Sequence, residues 1–274
     1  MKNSNSPNLI NIYRISDAGR PKSKIHGGSK EACLLNFIKE FGRNNLFVFA
    51  DNCSEELIMM LEQNQLTYTR TKLGNAGSCK FVFDYVIREF DENDYVNFIE
   101  DDYLHLPGSK AALISALDVS DYVSLYEHPD MYGDFDSGTS ANPYTSAGSQ
   151  RCEVFLSGNY HFRSTVSTTM SFALKVGTLK IDMPIWNFFL KGKLPNDFCA
   201  FVVLNQSNIW PLFMTAIFSR KFVKAFLWRL YLLPKSIFKK KRILVTPIPS
   251  KSTHIETDYL APNWYNMAAG IIKL

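Results

Sequence analysis

The amino-acid sequence predicts an α/β protein whose parallel, doubly wound sheet is covered by helices on both faces. Two observations carry this: apolar runs of strand character alternate with helical patterns, and four such steps fit within the first 126 residues. LINIYRI (9–15) reads as a strand, and SKEACLLNFIKEF (29–41) as a helix with Ala32, Leu35, Phe37, Ile38 and Phe41 turned inward. NLFVFAD (45–51) is a second strand; helix SEELIMMLEQ (54–63) comes next, capped by Ser54, with Glu55 and Glu56 favourably placed in its first turn. LTYTRT (66–71), GSCKFVFDYVIREF (77–90) and YVNFIE (95–100) continue as strand, helix and strand. A helix over 108–117 and a strand over 121–126 complete the alternation. The pattern then loosens: residues 128–150, rich in Gly, Ser, Pro, Asp and Asn, are loop chemistry. Residues 152–176 read as two short strands running into a stretch of small residues, and 183–206 as two helical pieces separated by Lys191–Pro195.

The chain has 274 residues, 46% of them apolar and 20% charged, enough for a substantial core and incompatible with wholesale disorder. Five cysteines without a CxxC pair exclude a disulfide framework and a zinc knuckle. The polar N-terminus, MKNSNSPNL, has no apolar signal stretch, so a reducing, cytoplasmic setting is expected. Charge is segregated. Residues 1–205 carry 19 Lys and Arg against 24 Asp and Glu, residues 206–274 carry 11 against 2, and none of 198–255 is acidic. That balance points to an anionic partner for the tail.

In open α/β sheets ligands sit beyond the carboxyl ends of the strands, where FIEDDYLHLPG places Glu100, Asp101 and Asp102. Adjacent carboxylates repel one another, and a divalent cation bridging to a diphosphate relieves that repulsion. Hard oxygen ligands suit Mn²⁺ or Mg²⁺. On an extended segment Glu100 and Asp102 share a side and Asp101 faces away. The alternative is a set of solvated loop acids. LGNAGS (73–78), between the third strand and a helix, offers backbone N–H groups to an anion, although it also fits a plain connection. Asp51, closing the second strand, is placed either to accept from a base or ribose or to serve the helix start beside Ser54.

The early β-α repeat, the Asp after the second strand, the Asn-x-Gly turn and the apolar strand ending in EDD together resemble a GT-A glycosyltransferase of the family 2-like group, over roughly residues 8–200 with a returning tail at 243–266. The resemblance implies a metal-dependent, inverting transfer from a nucleotide sugar, most commonly a UDP-sugar, to a glycan or lipid-linked acceptor in surface polysaccharide assembly. It makes Asp102 the metal ligand and Glu100 and Asp101 partners of the ribose or donor sugar. It places Arg14, Asp51, Asn75, Gly77 and Lys80 around the nucleoside. EDD stands where DxD is commoner. Asp197, at the start of the helix in PNDFCAF, matches the acidic motif that supplies the base, and it is equally suited to an ordinary helix start. His254 in KSTHIETDYLAPNW matches a C-terminal histidine that closes over the cation. STVSTTMSFALK (164–175) resembles the small-residue acceptor segment. The expected organisation is a catalytic domain over 1–205, its nucleotide-sugar half ending near 126, then a basic aromatic segment over 206–242 and a tail over 243–274 returning to the site.

Residues 208–242 are strongly apolar, yet Arg220, Lys221, Lys224 and Arg229 interrupt any spanning window. Phe218, Phe222, Ala225, Phe226 and Arg229 form a stripe mixing apolar side chains with a cation, and Lys239, Lys240, Lys241 and Arg242 come after it. This is the pattern of an in-plane helix on an anionic membrane, expected on the inner face; two helices packed on the catalytic domain are the other reading. No nucleic-acid module accompanies the patch. Two rival functions share the features so far: a nucleotidyltransferase, whose basic glycine-rich signature RISDAGRPKSKIHGG (14–28) meets only in part through Arg20, Lys22, Gly27 and Gly28, and a non-catalytic membrane-binding protein.

Overall fold

The computed structural model describes residues 7–19, 22–132, 142–145, 149–236 and 238–272. Arg20 and most of the expected 128–150 loop (133–141 and 146–148) lie outside the described residues. The first half follows the expected alternation: β1 (Leu9–Ile15), α1 (Lys30–Phe41), β2 (Leu46–Asp51), α2 (Glu55–Gln63), β3 (Tyr68–Thr71), α3 (Gly74–Glu89), β4 (Tyr95–Glu100), β5 (Tyr103–His105), α4 (Ser109–Leu117) and β6 (Tyr122–Val123). Then come β7 (Val154–Ser157), β8 (Tyr160–Ser164), β9 (Phe172–Lys175), α5 (Val176–Phe189), α6 (Asp197–Leu204), α7 (Ile209–Phe218), α8 (Arg220–Ser236), β10 (Leu244–Pro247), β11 (Ser252–His254) and α9 (Tyr265–Ile272).

Nine strands form one sheet in the order β3-β2-β1-β4-β9-β6-β10-β8-β7. Only β9 and β8 run against the others, so most strands of the sheet share one direction, in keeping with the expected α/β class. One face packs Val82, Phe83 and Val86 of α3 with Trp186 of α5 and Phe201 of α6 against Ile12, Phe98 and Phe172. The other packs Leu34, Phe37 and Phe41 of α1, Leu61 of α2 and Leu113 of α4 against Tyr13, Val48 and Ile99. Burying an aliphatic or aromatic side chain contributes about 1.5–3 kcal/mol, so the two layers account for most of the fold's cohesion.

Four expectations are corrected. In α1 the inward residues are Cys33, Leu34, Phe37 and Phe41, whereas Leu35 is exposed, because the helix turns a different edge of its stripe to the sheet. Helix α3 starts at Gly74 rather than Gly77, because Asp51 accepts from the backbone N–H groups of Leu73 and Gly74 and does the work of a local cap. The strand expected over 121–126 is limited to Tyr122–Val123. Helix α5 starts at Val176, seven residues before the sequence signal. Carbonyls of the 91–94 turn accept from Val176 and Gly177, and a Cβ on Gly177 would lie 3.0 Å from the Glu92 carbonyl oxygen.

The basic segment forms two helices packed on each other, of which α8 packs on α6 and buries Phe222, Ala225, Arg229 and Leu232. That is largely the stripe expected to face lipid. The protein covers it, and Phe218 alone of the fully apolar members stands 84% exposed. A second stripe on α8, Val223, Leu227, Leu230 and Tyr231, is open instead, beside Trp210, Phe213, Met214 and Ile217 on α7. Among the described residues no helix is long and apolar enough to cross a membrane.

Candidate active site at the carboxyl edge of the sheet

Strands β1, β2 and β4 end side by side, and register sets Arg14 opposite Glu100 and Asp51 opposite Thr71. The Arg14 guanidinium, buried beneath the edge, donates to Glu100 Oε1 at 3.1 Å and to the Asn75 side-chain and backbone oxygens at 3.2 and 3.3 Å. Three expected donor-site residues thus form one group. Burial pushes the Glu100 carboxyl up to about 7; Arg14 opposes the shift, and the charges of Asp102 and Asp197 add to it.

Past β4 the chain turns through Asp101 and Asp102 into β5, which pairs antiparallel with β11 from the other end of the chain. In that register His254 faces Tyr103, and Ile255 N–H donates to the Asp102 carbonyl at 2.9 Å. Backbone pairing therefore delivers His254 to Asp102, with Nδ1 3.2 Å from Oδ2. Glu256, two residues on, completes the cluster: single ligand atoms of Asp102, His254 and Glu256 all lie within 4.8 Å of one another. Asp102 Oδ1 and His254 Nδ1 are buried and make no hydrogen bond of good geometry, although Nδ1 stands within ion-pair distance of Asp102 Oδ2. Burial works against charge on both side chains, but their mutual attraction outweighs it, holding the Asp102 carboxyl low and His254 high. Two carboxylates and one imidazole, with no thiolate, fit Mn²⁺ or Mg²⁺.

Sequence reasoning missed Glu256 and the residues behind the cluster. The signal for Glu256 was present: in an extended His-x-Glu segment, residues two apart share a side. Tyr103 OH lies 2.6 Å from His254 Nε2 and 2.6 Å from Thr169 Oγ1. A cation on Nδ1 requires the Nε2–H tautomer, which Tyr103 accepts while donating onward to Thr169. Ser171 Oγ accepts from Glu100 N–H at 3.0 Å, so the small-residue segment 164–175 buttresses the acidic turn from both sides. Antiparallel β9 begins at this edge and brings that segment there.

The remaining expected residues lie around this centre. Asp101, in the turn between β4 and β5, lies outside the cluster; Oδ2 accepts from Ser16 N–H at 2.8 Å and Lys30 at 2.6 Å, tying down the loop after β1. Asp51 is saturated: Oδ1 accepts from Thr71 and Leu73, and Oδ2 from Gly74 and Asn52, so its carboxylate is engaged in shaping the start of α3. Gly77 lies within the first turns of α3, and Lys80, one turn on, pairs with Asp84 on the exposed side. Asp197 opens α6, where Asn196 provides the cap by accepting from Cys199 N–H at 3.2 Å. The loop before it reaches α3 through a 3.3 Å bond from Ala76 N–H to the Lys193 carbonyl. Burial pushes the Asp197 carboxyl up to about 6, suited to a base working near neutrality.

No family model matches this chain, and no curated protein matches it. Solved structures similar to it include a cytidylyltransferase from Leptospira borgpetersenii serovar Hardjo-bovis, at 8% identity and a TM-score of 0.38, covering 66% of this chain and 65% of that one. The galactosyltransferase LgtC, in complex with donor and acceptor sugar analogues, shares 6% identity with a TM-score of 0.39 over 70% of this chain and 69% of that one. The bifunctional glycosyltransferase WbbM, in its apo form, shares 10% identity with a TM-score of 0.39 over 70% of this chain and 35% of that one.

Proposed function

We propose that this protein is a metal-dependent, inverting glycosyltransferase that moves a hexosyl or N-acetylhexosaminyl group from a UDP-sugar to a glycan or lipid-linked acceptor in surface polysaccharide assembly. The observation that carries the reading is the Asp102–His254–Glu256 cluster at the carboxyl edge of the sheet, beside the Arg14–Glu100–Asn75 group. Asp102 and His254, with Glu256, would hold Mn²⁺ or Mg²⁺, whose chemistry is to neutralise the diphosphate as it leaves. Arg14, Asn75 and Glu100 position the donor, and Asp101 acts through the loop it ties down. Asp51, Gly77 and Lys80 belong to the nucleoside side, Asp51 through the shape it gives α3. Asp197 takes the proton from the acceptor hydroxyl, and attack opposite the departing diphosphate inverts the anomeric carbon. Residues 1–205 supply most of this chemistry, and 243–274 return His254 and Glu256 to it. The segment 208–242 binds an anionic membrane surface on the cytoplasmic side.

The test is thermal stabilisation by UDP, GDP, CMP and their sugars, with Mn²⁺ or EDTA, in wild type and Asp102→Ala. Ligand at 100 times its Kd stabilises the native state by about 2.7 kcal/mol, a readily measured rise in melting temperature. The expected result is a Mn²⁺-dependent rise with UDP that the variant lacks. No shift with any nucleotide would overturn the reading. Sugar transfer rather than nucleoside-monophosphate transfer, read from the products, separates it from a nucleotidyltransferase.

A further inference from the structure

Lys22 donates to Glu256 Oε2 at 2.7 Å, so an ammonium group stands on one of the three side chains of the candidate cation cluster. Its partner is buried, while Lys22 itself is half exposed and lies 5.5 Å from the centre of the Tyr259 ring. The backbone beside it is clipped to the tail. Ile25 N–H donates to the Ile255 carbonyl at 2.9 Å, Thr257 N–H donates to the Ser23 carbonyl at 3.0 Å, and Lys24 forms a bridge with Glu256. The backbone next to Lys22 is held to the tail, while half of its side chain faces solvent. Lys30 offers the contrast: it is more enclosed, and its partner Asp101 lies outside the cluster.

Charge balance discriminates between the states of this cluster. Asp102 and Glu256 carry two negative charges, and a divalent cation on them cancels both. An ammonium remaining on Glu256 would then face a dication with no excess anion to hold it, and like charges at contact distance repel. A diphosphate bound to the same cation is the anion within reach of a lysine tethered at this point.

We propose that Lys22 is a donor-binding residue that exchanges partners: it pairs with Glu256 in the protein alone and turns to the diphosphate of the nucleotide sugar once a divalent cation takes Glu256. The proposal rests on the donor-site reading above and assigns that site a further phosphate ligand. It also makes cation and nucleotide binding mutually supportive, since each removes a cost the other would meet.

The experiment is Mn²⁺ titration followed by electron paramagnetic resonance, with and without UDP, on wild type, Lys22→Met and Lys22→Arg, each verified as folded by its melting temperature. Without UDP, Lys22→Met is expected to bind Mn²⁺ roughly threefold more tightly, because a competing, partly solvated ion pair is gone. With Mn²⁺ saturating, it is expected to bind UDP about tenfold more weakly, through loss of a charge-assisted bond to phosphate. Lys22→Arg should keep UDP affinity near wild type. Unchanged or weaker Mn²⁺ binding by Lys22→Met, or unchanged UDP binding, would overturn the exchange while leaving the donor site standing. Failure of the wild type to bind Mn²⁺ at all would remove the donor-site reading and this proposal with it.

Discussion

The molecule handles charge in two opposite ways. At the carboxyl edge of the sheet cations are answered by carboxylates: Arg14 by Glu100, Lys30 by Asp101 and the half-exposed Lys22 by Glu256, with β5 and β11 pairing beside them. On the α7–α8 face the cations stand among apolar side chains. Lys224 lies 4.4 Å from the Trp228 ring and Lys235 5.6 Å from that of Tyr231, while Phe218 and Phe238 are 84% and 93% exposed. Fixed, paired charges select a compact ligand of defined geometry. Cations spread around exposed aromatics suit a partner that is broad, fluid and diffusely charged. On the proposed function one region takes a small ligand and the other a surface, so a substitution in either should leave the function of the other intact.

The largest effect is expected from Asp102→Ala. Loss of a cation ligand should lower turnover by about a thousandfold or more while binding to anionic vesicles stays at wild-type level. Parallel transfer and co-sedimentation assays check this, and loss of both properties together would show that the two regions are one structural unit.

Asp197→Asn comes next. Removing a general base costs about 10²–10⁴-fold in turnover, and donor affinity, read by titration, should hold. A base works ionised, so with the Asp197 carboxyl pushed up to about 6, kcat/KM should be level above that pH and fall tenfold per unit below it. The acidic limb should vanish in the Asn variant. Its survival would transfer the limb to Glu100, which burial pushes up to about 7.

These assignments were legible to different depths in the sequence. Strands β1, β2 and β4 are apolar runs with a polar residue at or next to the last position, and that local pattern places Arg14, Asp51 and Glu100 at one edge. The start of α3 was hidden because its cap, Asp51, comes from another strand some twenty residues earlier. Glu256 and the Tyr103–Thr169 support depend on β5 pairing with β11 across some 150 residues, a register that no local rule reveals. On α8, periodicity displays apolar stripes without saying which one the domain covers; packing on α6 settled that in favour of Phe222, Ala225 and Leu232.

The open stripe gives the next test. Leu227→Ser combined with Tyr231→Ser removes two exposed apolar side chains, each worth about 1.5 kcal/mol or more if buried in lipid. Vesicle affinity should fall by about a hundredfold, with transfer to a water-soluble acceptor unchanged. Retained vesicle binding would return the stripe to ordinary surface. The same loss from Phe222→Ser, accompanied by a lower melting temperature, would mean only that the helix had come loose.

The smallest effect is expected in the basic run between α8 and β10. Lysines near an anionic membrane contribute about 1 kcal/mol each, a factor of about five in affinity. Lys240, however, pairs with Asp121 at 3.0 Å, and Asp121 also takes Arg242 at 3.2 Å. Part of the Lys240 charge is therefore already answered by the body of the protein, in the manner of the sheet edge. Lys240→Gln should weaken vesicle binding by less than fivefold, and by less than Lys224→Gln, whose neighbour is an aromatic ring rather than a carboxylate. Both losses should shrink as salt is raised, because exposed charges are screened. Equal losses from the two variants would show that pairing does not discount a lysine at this surface, and the distinction between the two regions would then rest on the apolar stripe alone.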